Sequence, residues 1–203
     1  MITINIDHCE YEIEEGTRLE EIAKKYGVCE KGEIVLAYRN GHLCELYKKV
    51  KEPAEISFVN TADKIGFDTY KRSMILMMMK AFREVLKEKG ATGRIRVLFS
   101  LGKGFYCELD SKKEQVSQQL LDEVASKMKE LVEADIPIEK HTYQSYDLMK
   151  RFTAQGRTDK VRLFRYRRAS NANAYCLEDF EDYYYGFMVP STGYLRYFAL
   201  YAY

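Results

Sequence analysis

Hydrophobic positions recur with period two at the start of the chain and with helical period soon after. Ile2, Ile4 and Ile6 alternate with polar residues, which predicts a strand with one buried face. Asp7-His8 turns the chain toward a second short strand holding Tyr11 and Ile13. Thr17 and Glu20 have capping-box spacing, and Leu19, Ile22, Ala23 and Tyr26 follow at helical spacing up to Gly27. "EIVLAYRNG" reads as an apolar strand closed by the Asn40-Gly41 hairpin turn, with "HLCEL" and "AEISFV" as return strands. Strand pair, helix and further strands within about sixty residues are the order of a β-grasp domain.

The pattern changes after Asn60. Asp68 or Thr69 is placed to cap a long helix from Tyr70 to about Lys89, ended by Gly90. Its apolar positions cover more than one face, so it is expected to be buried on several sides. "RIRVLFS" and "GFYCELD" alternate and are joined by "LGKG" as a hairpin. Ser111 and Glu114 form a second capping-box pair before a helix with Val116, Leu120, Val124 and Met128 on one stripe. "YDLMKRF" reads as a short helix, and "DKVRLFRYRR", "NAYCLED" and "YLRYFALYAY" as strands. The fold class is therefore α+β: a β-grasp domain over 1–62, then an α+β domain over 63–203 with helices packed on an antiparallel sheet.

Composition narrows the chemistry. Charges nearly balance at a formal +1, which gives no global pull toward nucleic acid or an anionic membrane, and neither DNA nor a membrane is an expected partner. The longest apolar run, "MILMMM", is too short to span a bilayer, and "MITINID" is not a signal peptide. The five cysteines, spread without a CxxC, read as free thiols of a reducing cytoplasm. Cys107, in an alternating strand, reads as a structural thiol, and His141 has no partner nearby in sequence. From Lys150 to Arg168 eight basic residues face one acid, Asp159, with Phe152, Phe164 and Tyr166 between them. Such a segment suits nucleotide or RNA phosphates, with Arg165, Arg167 and Arg168 as contacts; an ion-paired, solvated face using Glu178, Asp179, Glu181 and Asp182 is the other reading. Ser191, Thr192 and Gly193 read as a turn able to donate to an anion.

Several stretches resemble known modules. "ITINID", "GTRLEEIAKKYG" and "AYRNGHLCEL" resemble the TGS domain at the front of threonyl-tRNA synthetases. "FDTYKRSMILMMMKAF", "GKGFYCEL" and "GFMVPSTGYLRYF" resemble the second additional domain that follows TGS and is shared with alanyl-tRNA synthetases. In those families the module carries a metal-dependent, ester-hydrolysing site: two histidines four apart on the long helix, then a Cys and a His late in the chain. The resemblance lays these positions on Tyr70, Met74, Tyr184 and Met188, a phenol and thioether set that binds zinc poorly. It implies a degenerate pocket with no metal and no catalytic residue.

The combination, with "RTDKVRLFRYRR" and "DYYYGFMVPSTGYLRYFAL", further resembles the N-terminal half of a bacterial uridine kinase-like family. That resemblance implies a following P-loop domain that uses ATP and magnesium to phosphorylate a nucleoside and partners this chain. No GxxxxGK[ST] occurs here; Lys103 in "LGKGFY" lacks the spacing and is at most a phosphate contact. The expected role is a cytoplasmic, non-catalytic region that binds a ligand or regulates the kinase. The alternative is an RNA- or tRNA-binding module, or one that deacylates aminoacyl-tRNA without metal.

Overall fold

The computed structural model describes residues 1–166 and 169–202. Strands β1 (Ile2–Ile6), β2 (Cys9–Ile13), β3 (Ile34–Arg39), β4 (His42–Glu45) and β5 (Ala54–Asn60) form one sheet, with helix α1 (Leu19–Tyr26) in the connection after β2. The order is β2-β1-β5-β3-β4, and β1 runs parallel to β5 at its centre while the other pairs are antiparallel. This is the β-grasp arrangement. Asn40 and Gly41 both take positive φ, as a two-residue turn between right-twisted strands requires. The Asn40 side chain also accepts from the Glu55 amide at 2.8 Å, tying the turn to β5. Ile4, Ile6, Leu19, Ile22, Leu46 and Ile56 make an aliphatic core between sheet and helix.

The capping box at Thr17 does not form. Thr17 Oγ1 donates to the Glu14 carbonyl at 2.7 Å, and the helix begins two residues later. The amides of Leu19 and Glu20 donate instead to the Lys48 and Leu46 carbonyls, both at 2.9 Å. Tertiary backbone contacts thus satisfy the donors that a capping side chain would have taken.

Helix α2 spans Lys64–Glu88, starting before the Asp68 or Thr69 cap that the sequence predicts. Thr69 Oγ1 and Ser73 Oγ donate back to the Ile65 and Thr69 carbonyls, both at 2.9 Å, so both hydroxyls lie in the helix interior. Gly66 lets the first turn pass the end of β5: a Cβ there would lie 1.9 Å from the Asn60 carbonyl oxygen. Leu76, Met77, Ala81, Phe82, Val85 and Leu86 are buried, as the broad apolar pattern implies. Strands β6 (Gly93–Leu101) and β7 (Gly104–Ser111) form a two-stranded antiparallel ribbon.

Helix α3 (Gln118–Glu133) is capped by Ser117, whose Oγ accepts from the Leu120 amide at 3.2 Å. Ser111 and Glu114 are therefore not its cap. Ser111 Oγ closes an earlier turn, accepting from the Lys113 and Glu114 amides, and Val116 lies exposed before the helix. Met1–Pro137, together with the segment from Phe187 onward, makes one compact unit, so the boundary expected at 62/63 lies inside it.

Ile138–Gly186 makes a second compact unit. Its antiparallel sheet has the order β10 (Phe180–Tyr183), β9 (Asn171–Leu177), β8 (Glu139–Gln144), accompanied by helices α4 (Ser145–Ala154) and α5 (Thr158–Arg165). Leu148, Phe152, Phe164, Ala172, Ala174 and Tyr183 form its core. "DKVRLFR" is helical, not the strand its alternation suggests. Phe164 is buried and Val161 packs beside it at i, i+3 spacing, while Leu163, which alternation would bury, is half-exposed. Gly156 (φ +68) ends α4 with hydrogen bonds from its own amide to the Thr153 carbonyl and from Arg157 to Phe152, and α5 starts at once.

The expected terminal strand "YLRYFALYAY" is also absent. The described part is irregular after a 3-10 turn at Thr192–Tyr194, and Leu195 alone in it is buried. Among the described residues no helix is long and apolar enough to cross a membrane.

Candidate functional site

In the first unit, α2 and the stretch after Gly186 meet through side chains one turn apart on the helix. The Tyr70 hydroxyl accepts from the Tyr197 amide at 2.8 Å and donates to the Tyr197 carbonyl at 3.2 Å. Burial raises the phenol's pKa, so it stays protonated. Arg72 donates to the Phe187 carbonyl at 2.6 Å. Ser73 Oγ accepts from the Val189 amide at 3.0 Å; its one proton lies near both the Thr69 carbonyl (2.9 Å) and the Met188 sulfur (3.3 Å), of which the oxygen is the stronger acceptor. The Met188 amide donates to Glu45 Oε1 at 3.2 Å, and Met188 is buried, while Met74 is half-buried.

Tyr70, Met74 and Met188 thus lie in the first unit and Tyr184 in the second. The Tyr184 phenol is raised well above its ordinary pKa by burial and then by Asp182. These residues do not fit the metal of the resembling families. Two are neutral phenols, two are thioethers, and the Tyr70 oxygen is already engaged on both sides. Among the described residues no group of three or more His, Cys, Asp or Glu is placed to hold a metal ion.

The Ser191-Thr192-Gly193 turn does surround an anion, but one supplied by the chain. Asp135 Oδ1 accepts from Ser191 Oγ in a short hydrogen bond and from the Gly193 amide at 3.1 Å. A Cβ on Gly193 would fall 2.2 Å from that oxygen, so glycine is required for the approach. Thr192 Oγ1 donates to the Leu131 carbonyl and accepts from the Ile136 amide at 2.8 Å. The donors that sequence reasoning reserved for a ligand therefore tie the turn to the end of α3. Beside the turn is a cavity of about 690 Å³ lined by Lys24, Glu33, Glu133, Tyr194 and Arg196 among others. Burial raises the Glu33 pKa, with Arg196 acting in the opposite direction, and the Tyr194 hydroxyl donates to Glu20 Oε1 at 3.1 Å.

The basic segment of the second unit divides in two. Asp182, fully buried, accepts from Arg157 at 3.1 Å and pairs with Lys160 at 3.0 Å, while Arg151 pairs with Glu181 at 3.6 Å. Arg162 and Arg165 are exposed on α5, next to Leu163 and Tyr166, which is 78% exposed. The candidates Arg167 and Arg168 lie outside the described residues. Lys103, in the first unit, is exposed at the tip of the β6–β7 ribbon.

His141 has the partners that sequence reasoning did not find. Its Nε2 lies 3.1 Å from Glu139 Oε2 and its Nδ1 3.3 Å from the Tyr143 hydroxyl. Positions 139, 141 and 143 share one face of β8, which is the signal the sequence offered. Cys107 is half-buried, and burial raises its pKa, which leaves a poor nucleophile.

No protein-family model matches the chain. Curated relatives do. The threonine–tRNA ligase of Carboxydothermus hydrogenoformans is 29% identical over 191 residues, covering 93% of this chain and 29% of that protein. The threonine–tRNA ligases of Aquifex aeolicus and Thermotoga petrophila are 26% and 24% identical over 194 residues, covering 95% and 96% of this chain. The chain spans about three-tenths of the length of these relatives. The similarity runs through both compact units and supports the TGS and synthetase-like reading. It lends nothing to a uridine kinase-like parent.

Proposed function

We propose that this chain is a tRNA-directed RNA-binding module, built on a scaffold shared with part of the threonine–tRNA ligases, that holds its ligand without hydrolysing it. The observation that carries the reading is similarity along nearly the whole chain to those ligases, combined with Tyr70, Met74, Tyr184 and Met188 at the resembling ligand positions. A phenol and thioether set cannot lower the pKa of a bound water as a metal centre does. The exposed Arg162, Arg165 and Tyr166 on α5 supply cation and aromatic surface of the kind that RNA uses.

Titration of labelled tRNA at several salt concentrations tests this. Affinity is expected to fall steeply with salt, and replacing Arg162 and Arg165 by alanine should lower the log–log slope by roughly 1 for each phosphate no longer neutralised. Salt-independent binding, or none, overturns the reading. The scaffold and the free thiols suit a cytoplasmic protein. The kinase-type parent, with ATP and magnesium in a following domain, rests on motif order alone, and a P-loop in the adjoining coding sequence would be its test.

A further inference from the structure

The segment after Leu195 is fastened to the rest of its unit at one place. Leu195 is wholly buried; beyond it the backbone is irregular, Tyr197 and Tyr201 are exposed, and Phe198 and Leu200 are half-buried. Among the described residues of 196–202 one hydrogen bond is local, from Arg196 Nε to the Gly193 carbonyl at 2.9 Å. The others are the two on Tyr70, whose hydroxyl accepts from the Tyr197 amide at 2.8 Å and donates to the Tyr197 carbonyl at 3.2 Å. The Tyr197 side chain is 80% exposed, so the residue is held by its backbone. A phenol fixed on a helix suits this task because one oxygen both accepts and donates. The preceding stretch is held differently: Arg72, Ser73 and Glu45 share Phe187, Val189 and Met188 between them.

The fastening adjoins the cavity beside the Ser191-Thr192-Gly193 turn. Arg196, one residue before Tyr197, lines that cavity together with Lys24, Glu33, Glu133 and Tyr194. With Nε committed to Gly193, its terminal nitrogens carry no hydrogen bond or ion pair among the described residues. Its charge is felt across the wall, where it opposes the rise that burial imposes on the Glu33 carboxyl.

We infer that residues 196–202 form a strap latched by the Tyr70 hydroxyl, and that this latch decides whether Arg196 stands in the cavity wall. Latched, the cavity holds a guanidinium and a carboxyl together. Released, it loses the cation and opens where the strap had lain. A segment tied by one side chain opens at low cost, as a gate must. The inference does not depend on the RNA-binding reading.

Tyr70→Phe keeps the ring and removes both hydrogen bonds. Tyr197→Pro deletes the amide donor from the strap and leaves α2 untouched. Amide exchange and an NMR titration of the Glu33 carboxyl carbon are followed in the full chain, for the wild type, these two variants and Arg196→Ala. The expected result is roughly tenfold faster exchange at Tyr197 in Tyr70→Phe, with β1 and β5 amides unchanged. The Glu33 carboxyl should titrate at higher pH in Tyr70→Phe and in Tyr197→Pro, matching the rise in Arg196→Ala, which removes the cation outright. Unchanged exchange at Tyr197 in Tyr70→Phe overturns the latch. Faster exchange with Glu33 titrating as in the wild type overturns the gate, because Arg196 then keeps its place without the strap. A Glu33 titration that Arg196→Ala leaves unmoved overturns it as well. If Tyr70→Phe does not fold, Tyr197→Pro carries the test, and an unmoved Glu33 titration there is the contrary result.

Discussion

The two larger sheets among the described residues are stabilised by different means. The five-stranded N-terminal sheet closes on aliphatic side chains, with Ile4, Ile56, Leu19 and Leu46 almost wholly buried. The three-stranded sheet of Ile138–Gly186 has a smaller, aromatic core and a buried carboxylate, Asp182, that ties Arg157 and Lys160 of the neighbouring helical segment to β10. A unit of this size has little apolar area to bury, and directional polar contacts hold its elements in place. Aliphatic burial tolerates changes of pH and depends on volume. The charged arrangement depends on every partner being present.

The difference can be probed in decreasing steps. Ile56→Ala leaves a cavity in the aliphatic core and should cost about 4 kcal/mol, measured by denaturant unfolding. A loss below about 1 kcal/mol would mean that the sheet does not depend on that core. Asp182→Ala strands Arg157 and Lys160, which keep some contact with water, so roughly 3 kcal/mol is expected, at the low end for a broken buried pair. Faster amide exchange in β9, with β1 and β5 unchanged, would assign the loss to the second unit.

Alkaline pH comes next. Burial, with Glu181 adding its charge and a hydrogen bond, pushes the Cys176 thiol and the Tyr143 phenol both up to about 12. The unfolded chain releases these protons near 9 and 10, so the folded state binds more protons between those values and 12. The stabilisation is complete below pH 9 and is lost as pH rises toward 12. Protection of β9 amides should fall across that window, and Cys176→Ala should remove part of the fall. The smallest effect belongs to Thr17→Ala, within about 0.5 kcal/mol, because its hydroxyl only bridges an exposed turn. A loss of about 1 kcal/mol would restore the capping role.

The same contrast explains what the sequence made legible. The β-grasp strands, the Asn40-Gly41 turn and α1 follow from local pattern because each apolar position there faces one core. The failures come where tertiary contacts replace local signals. The ends of α1 and α2 are set by Lys48, Leu46 and the passage of Gly66 past Asn60, none of them visible in local spacing. "DKVRLFR" carries both periods, and the Phe152–Phe164–Tyr183 cluster chooses the helix. The Ser-Thr-Gly turn was legible as an anion binder, but its partner Asp135 is distant in sequence. The phenol and thioether chemistry of Tyr70, Met74, Tyr184 and Met188 was legible residue by residue. The hydrogen bonds that engage Tyr70 and Ser73 were not, because Tyr197 and Val189 lie far along the chain.

The central claim is that this scaffold holds RNA and does not cut its ester. The direct test is single-turnover incubation of the chain with mischarged aminoacyl-tRNA, with and without added zinc, while binding is followed in the same reaction. Salt-sensitive binding with the ester intact in both arms is the result this account expects. Ester hydrolysis by the purified chain in either arm would contradict it, and a zinc-dependent rate most directly.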